Sequence, residues 1–180
     1  MDIQKTTIPE VLILEPKVFE DSRGFFFESF NEQELNKAGI IQRFVQDNHS
    51  RSAKNVLRGL HYQVSHPQGK LIRVVRGEAF DVAVDLRRRS PTFGKWISVT
   101  LSEDNKRIFW IPPGFAHGFL ALSQNTDFLY KTTDFYSPAD ERTIVWNDPD
   151  LAISWPIEGV PILSGKDANG RSLRDAECFA

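Results

Sequence analysis

Short apolar runs with a two-residue period recur along the chain. The clearest is "EAFDVAVDLR" at 78–87, in which Phe80, Val82, Val84 and Leu86 fall on one face of a strand. "WISVTLS", "RIFWIPPGF", "HGFLALS" and "DFLYKTTDFY" continue the pattern. Gly77, "SPTFG" at 90–94, "SEDN" at 102–105 and "PPG" at 112–114 punctuate it with turn residues. One segment reads as a helix, "NEQELNKAG" at 31–39, with Asn31 as cap, Glu34 at the capping-box position and Gly39 at its end. Many short strands without alternating helices predict an antiparallel sandwich or barrel rather than a parallel α/β fold. No repeat, linker or low-complexity tract divides residues 1–180, so a single domain is expected. The polar C-terminal stretch "LSGKDANGRSLRDAECFA" is expected to hold a short helix.

Composition adjusts this picture only slightly. Fourteen phenylalanines against one methionine favour pleated, half-buried surfaces. Hydrophobic residues make up 41% and charged residues 26%, ordinary values for a globular chain. A formal net charge of −2 argues against general attraction to nucleic acid or anionic lipid, so any basic site is local. The single cysteine, Cys178, leaves no disulfide framework or cysteine metal cluster. No apolar run approaches a membrane span, and "MDIQKTTIPE" lacks a signal-peptide core, so a cytoplasmic protein is expected.

The polar chemistry concentrates in an unexpected place. "VLRGLHYQVSHPQGKLIRVVRG" at 56–77 reads as strand, yet carries Arg58, His61, Gln63, His66 and Lys70. His61 and His117 each lie near the end of a strand-like run, where a satisfied core histidine is the ordinary occupant. His66, in "SHPQG", reads as an exposed turn residue, and His49 is open to either reading. "PPGFAH" and the earlier histidine suggest a metal-binding cupin barrel, whose usual ligands are an H-x-H pair, a glutamate and a later histidine. Here the pair is His61-Tyr62-Gln63, and "SHPQGK" replaces the glutamate region; an amide and a nearby lysine work against metal affinity. Arg58, Lys70 and Arg73 would be costly inside a barrel unless they meet anions, with pairing to Asp81 or Asp85, or exposure, as the ordinary alternative for Arg73. Arg23 and Glu28 bracket a phenylalanine run that could stack on a base, and Tyr130 offers a phenol that could donate a proton. Lys166 and Asp167 read as no more than a loop charge pair.

Taken together, "DSRGFFFESF", "FVQDNHSRS", "VLRGLHYQ", "GKLIRVVRGEAFDVAVDLRRRSPTFGKW", "WIPPGFAHGFLALS", "YKTTDFY", "ERTIVWNDP" and "LSGKD" resemble the dTDP-4-dehydrorhamnose 3,5-epimerases. The matching segments run in the family's order from about residue 20 to about residue 167. The resemblance implies a mainly β, cupin-type jelly roll that needs no metal or other cofactor. It also implies a homodimer whose subunits exchange N-terminal strand contacts. The implied substrate is a dTDP-linked 4-keto-6-deoxyhexose inverted at C3 and C5, both α to the ketone; neither nucleic acid nor membrane is an implied partner. His61 matches the base, Asp167 its orienting carboxylate, Tyr130 the acid and Lys70 the residue at the C4 oxygen. Arg23, Glu28 and Phe26 match the nucleotide end, Gln46, Asp47 and Asn48 a polar strip beside it, and Arg58, His117, Glu141 and Lys166 further ligand positions. Relatives altered near "YKTTDFY" invert one carbon or isomerise the ketone; this chain has Phe135 and Tyr136 there. A metal-dependent cupin oxygenase and a non-catalytic sugar-nucleotide-binding cupin are the competing readings.

Overall fold

The alternating runs form strands wherever turn residues release them. The computed structural model describes residues 1–180. In chain order its elements are β1 (Asp2–Lys5), β2 (Leu12–Glu15), β3 (Phe19–Asp21), β4 (Gly24–Phe26), α1 (Glu32–Lys37), β5 (Gln46–Ser52), β6 (Leu57–Gln63) and β7 (Lys70–Arg76). They continue with β8 (Glu78–Asp85), β9 (Trp96–Ser102), β10 (Ile108–Ile111), β11 (Phe115–Ala121), β12 (Thr126–Thr132), β13 (Glu141–Thr143) and α2 (Gly165–Ala168). A six-stranded sheet, β1-β2-β10-β7-β12-β5, faces a five-stranded sheet, β13-β6-β11-β8-β9, with every neighbouring pair antiparallel. This is the expected jelly roll. A separate hairpin, β3-β4, stands outside both sheets.

The period-2 pattern sorts side chains into three cores. Between the sheets lie Ile72 and Val74 of β7, Phe109 and Ile111 of β10, Phe128 of β12, Phe119 of β11 and Ala79 and Ala83 of β8. Phe80, Val82, Val84 and Leu86 do share a face, but it is the outer one. There they pack against Tyr62 of β6 and against Leu151, Trp155, Ala176 and Phe179 of the segments that wrap the five-stranded sheet. Both faces of β8 are therefore buried, and its inner face alternates Ala79, Asp81, Ala83 and Asp85. The third core, on the outer face of the six-stranded sheet, holds Leu12, Leu14, Leu71, Ile108 and Trp110 under α1.

Helix α1 begins where the sequence placed it. The Asn31 side chain accepts from the N–H groups of Gln33 and Glu34. The expected capping box does not close, because Glu34 turns instead to Lys37 at 2.6 Å and the N-terminal amine at 3.8 Å. At the other end Gly39, at φ +82°, lets the N–H of Ile40 return to the Leu35 carbonyl at 2.9 Å, and Leu35 and Ile40 are buried together.

A candidate active site between the two sheets

The open end of the sandwich holds a cavity of about 370 Å³. Each wall follows from strand register. On β7, residues 70, 72 and 74 share the inner face, which turns Lys70 inward with Ile72 and Val74. Tyr130 lies opposite Ile72 on one side and Asn48 on the other. Gln46, Asn48 and Ser50 alternate along β5 and complete this wall. From the facing sheet, His61 of β6 stands directly opposite His117 of β11. The β6-β11 register shifts between His117 and Phe119, so Arg58 pairs with Phe119 and joins the same inner face, although it lies three positions before His61. The shift sits where Gly59 and Gly118 let the backbones approach: a side chain on Gly118 would meet the Arg58 carbonyl oxygen at 2.8 Å.

His61 is held from behind. Its Nε2 lies 2.6 Å from Oδ1 of Asp167, which is delivered by α2 and buried. The same carboxylate accepts the Gly59 N–H at 3.1 Å and the Ser164 hydroxyl at 2.6 Å. Burial on its own would raise the Asp167 carboxyl, but the bonds from His61, Ser164 and Gly59 outweigh it and hold the group far below the usual carboxylate range. An ionised carboxylate can only accept, so Nε2 carries the ring proton and Nδ1 is left as the basic nitrogen. The pair "KD" at 166–167 is thus no loop pairing. Asp167 backs His61, and Lys166 reaches Glu141 at 2.8 Å.

Three further groups set the electrostatics. Lys70 is buried, with Nζ 3.3 Å from the His61 carbonyl; burial pulls its pKa down to about 8 against the partial support of Asp81 and Glu141. His117 Nε2 meets Asp81 Oδ1 at 2.9 Å, while the other Asp81 oxygen is buried without a partner. Burial lowers the His117 pKa and raises that of Asp81. Burial and Glu141 push the Tyr130 phenol up, opposed by Arg58, so it stands protonated and able to donate. At the rim the Tyr136 hydroxyl donates to Glu141 at 3.0 Å.

A family model for dTDP-4-dehydrorhamnose 3,5-epimerase matches residues 5–175. The chain belongs to this family. It is 59% identical over 180 residues to the dTDP-4-dehydrorhamnose 3,5-epimerase of Pseudomonas aeruginosa, covering 99% of both chains. To that of Salmonella typhimurium it is 59% identical over 178 residues, covering 98% of this chain and 97% of the other. The crystal structure of the Legionella pneumophila dTDP-6-deoxy-D-glucose-3,5-epimerase, in complex with dTDP-4-keto-L-rhamnose, superposes with a TM-score of 0.96 at 55% identity, covering 98% of this chain and 94% of that one.

For this epimerase-family chain, the structure gathers His61, Tyr130, Lys70, Gln46, Asn48, Arg58, His117, Glu141 and Lys166 around one cavity, with Asp167 behind His61. Four expected site residues lie elsewhere. Asp47 points to the opposite face of β5 from Gln46 and Asn48, where Lys131 holds both its oxygens at 2.8 Å, so the three do not form one strip. Arg23, Phe26 and Glu28 belong to the β3-β4 hairpin and its exit. Arg23 is bound to Asp21 and Glu28 to Asn31, and none of the three lines the cavity of its own chain. Arg73 meets neither Asp81 nor Asp85; it lies half-buried on the outer face, 5.9 Å from the Phe27 ring. Asp85 pairs with Arg87 instead. Sequence reasoning missed Ser50, Gln68, Tyr136 and Asp81. Ser50 was legible as the next inward position after Gln46 and Asn48, and Asp81 as the inward alternate between Ala79 and Ala83.

Proposed function

We propose that the protein inverts C3 and C5 of dTDP-4-dehydro-6-deoxy-D-glucose to give dTDP-4-dehydro-L-rhamnose, supplying the precursor of dTDP-L-rhamnose. One observation carries this reading: the base and the acid come from opposite walls. His61 projects from the five-stranded sheet and Tyr130 from the six-stranded sheet, with the cavity between them. Inversion requires that arrangement, because one residue removing and returning a proton on one face restores the original configuration. His61, with Nε2 held by Asp167, takes the acidic proton α to the ketone. The Lys70 ammonium offsets the charge that develops on the C4 oxygen as the enolate forms. Tyr130 then gives its proton to the other face of the same carbon. Arg58 and the Glu141–Lys166 pair anchor the ligand around this centre.

The nucleotide end falls to the hairpin in this reading. Phe19, Phe25 and Phe26 are 53%, 60% and 66% exposed, an apolar surface that calls for a partner. A homodimer in which each hairpin covers the partner's cavity brings Arg23, Phe26 and Glu28 to the dTDP group, with phenylalanine for the base and arginine for phosphate. A nucleotide-linked substrate and a chain in which no helix is long and apolar enough to cross a membrane fit a cytoplasmic reaction. Replacing Tyr130 by phenylalanine tests the division of labour. Proton removal continues and inverted product falls by about 10²-fold or more, read by NMR of the sugar. Normal turnover by Tyr130→Phe contradicts the acid assignment.

A further inference from the structure

Gln63 stands on β6 two residues beyond His61, and it is only 3% exposed. Its side-chain amide meets backbone rather than another side chain. Nε2 donates to the His66 carbonyl at 2.7 Å and to the Phe135 carbonyl at 3.2 Å, while Oε1 accepts the Ser137 N–H at 2.8 Å. One amide therefore grips two segments that both serve the cavity. The first is the turn over 64–69, which delivers Lys70 to the head of β7. The second is the loop that leaves the strand of Tyr130 and returns at Glu141.

Within that loop the grip falls on the two residues flanking Tyr136. The Tyr136 N–H is itself bound to Gln46 Oε1 at 3.0 Å, and its hydroxyl to Glu141 at 3.0 Å. Tyr136 thus stands on the rim with its backbone fixed on both sides, one hydrogen bond from a residue of the cavity wall. A buried amide with both N–H groups and its oxygen satisfied holds its partners rigidly, since releasing any of them leaves a buried polar group unpaired.

We propose that Gln63 is a positioning residue for the epimerisation. By binding the backbone on either side of Tyr136 and the turn before Lys70, it sets the distance between the rim and the enolate-stabilising ammonium, and so the seat of the sugar ring. This rests on the reading of the cavity as the site of proton transfer. Gln63 contributes no proton and touches no reacting atom in this role.

Two replacements in the full chain, beside the wild-type protein, test it. Gln63→Met keeps the length and removes all three hydrogen bonds. Turnover of the 4-keto sugar nucleotide falls about 10²-fold, the scale of a misplacement of about 1 Å, while dTDP affinity by calorimetry changes less than about twofold. Gln63→Glu keeps the acceptor for Ser137 but sets a carboxylate against two carbonyl oxygens, which favours its protonated form. The charged groups around position 63 are Glu141 directly opposite on β13, Asp140 beside it, Lys70 of β7, and His66 with its partner Asp134. Once protonated, the glutamic acid again donates to a carbonyl. The ratio of Gln63→Glu to wild-type turnover therefore rises as pH falls from about 8 to about 6.

A Gln63→Met protein with wild-type turnover overturns the proposal, as does a Gln63→Glu ratio that is flat with pH. If Gln63→Met fails to fold, the Gln63→Glu ratio decides. If neither variant folds, the amide is a requirement of folding and the positioning role is rejected. A wild-type protein that does not turn over the sugar nucleotide rejects the proposed function instead, a different result from a working enzyme indifferent to residue 63.

Discussion

Stability and chemistry pull in opposite directions at Lys70. Its ammonium is buried with a carbonyl oxygen as its one direct partner at 3.3 Å, and its pKa falls to about 8. Below about pH 8 the folded chain holds this charge at a desolvation cost. Between about 8 and the ordinary lysine value the folded state has released a proton that the unfolded chain still binds, so stability from this group rises with pH across that window. Under the proposed mechanism activity runs the other way, because only the ammonium offsets an enolate, so kcat is expected to decline as pH climbs through about 8. Lys70→Met separates the two effects: Tm rises at neutral pH while turnover drops about 10²–10³-fold. A lower Tm in calorimetry, or turnover close to wild type, contradicts this assignment. Asp81, with one orphaned oxygen beside His117, belongs to the same buried electrostatic set.

Strand register, more than residue identity, builds the site. Arg58 and His61 lie three apart and would face opposite ways on a regular strand; the shift between β6 and β11 turns both inward. Two glycines permit it, Gly59 at φ +120° and Gly118, whose added Cβ would stand 2.8 Å from the Arg58 carbonyl oxygen and 3.2 Å from Gly59 Cα. Gly118→Ala therefore pushes β6 from β11. We expect a loss of about 1–3 kcal/mol in urea denaturation together with reduced kcat; an unchanged midpoint would show that the approach is not tight. Period-2 patterning revealed the strands, but the inward runs Gln46-Asn48-Ser50 and Lys70-Ile72-Val74 were not read from it: Asp47 was placed beside Gln46 and Asn48, although it lies on the opposite face of β5. The patterning did show that Phe80, Val82, Val84 and Leu86 share a face. Which way that face turned was not legible, because β8 is buried on both sides and small alanines hide the inner one. The register shift was hidden too, since pairing partners lie about 60 residues apart in sequence. The Asn31 cap and the Gly39 stop could be read because their partners are local.

For the whole molecule, the fold class and many of the residues that line the cavity were legible from motifs spread over the chain, while the place of the hairpin was not. Arg23, Phe26 and Glu28 resembled ligand residues, yet they stand apart from the cavity of their own chain, and the proposed homodimer is what would give them a use. Changing Phe25 and Phe26 together to serine removes most of the hairpin's exposed apolar surface. Light scattering then gives the 20.6 kDa chain mass in place of twice that value, and KM for the sugar nucleotide rises. A wild-type protein that already runs as a monomer, or a variant that stays dimeric with unchanged KM, removes the hairpin from the site. Above all, the cavity is read as two proton-bearing walls facing one ketone. Incubation of the wild-type protein with dTDP-4-dehydro-6-deoxy-D-glucose in deuterated water, followed by NMR of the sugar, tests that most directly. Deuterium at both C3 and C5 of the inverted product is the expected result. Label at one carbon alone would demote the reaction to a single epimerisation, and no label at either would reject proton abstraction by His61.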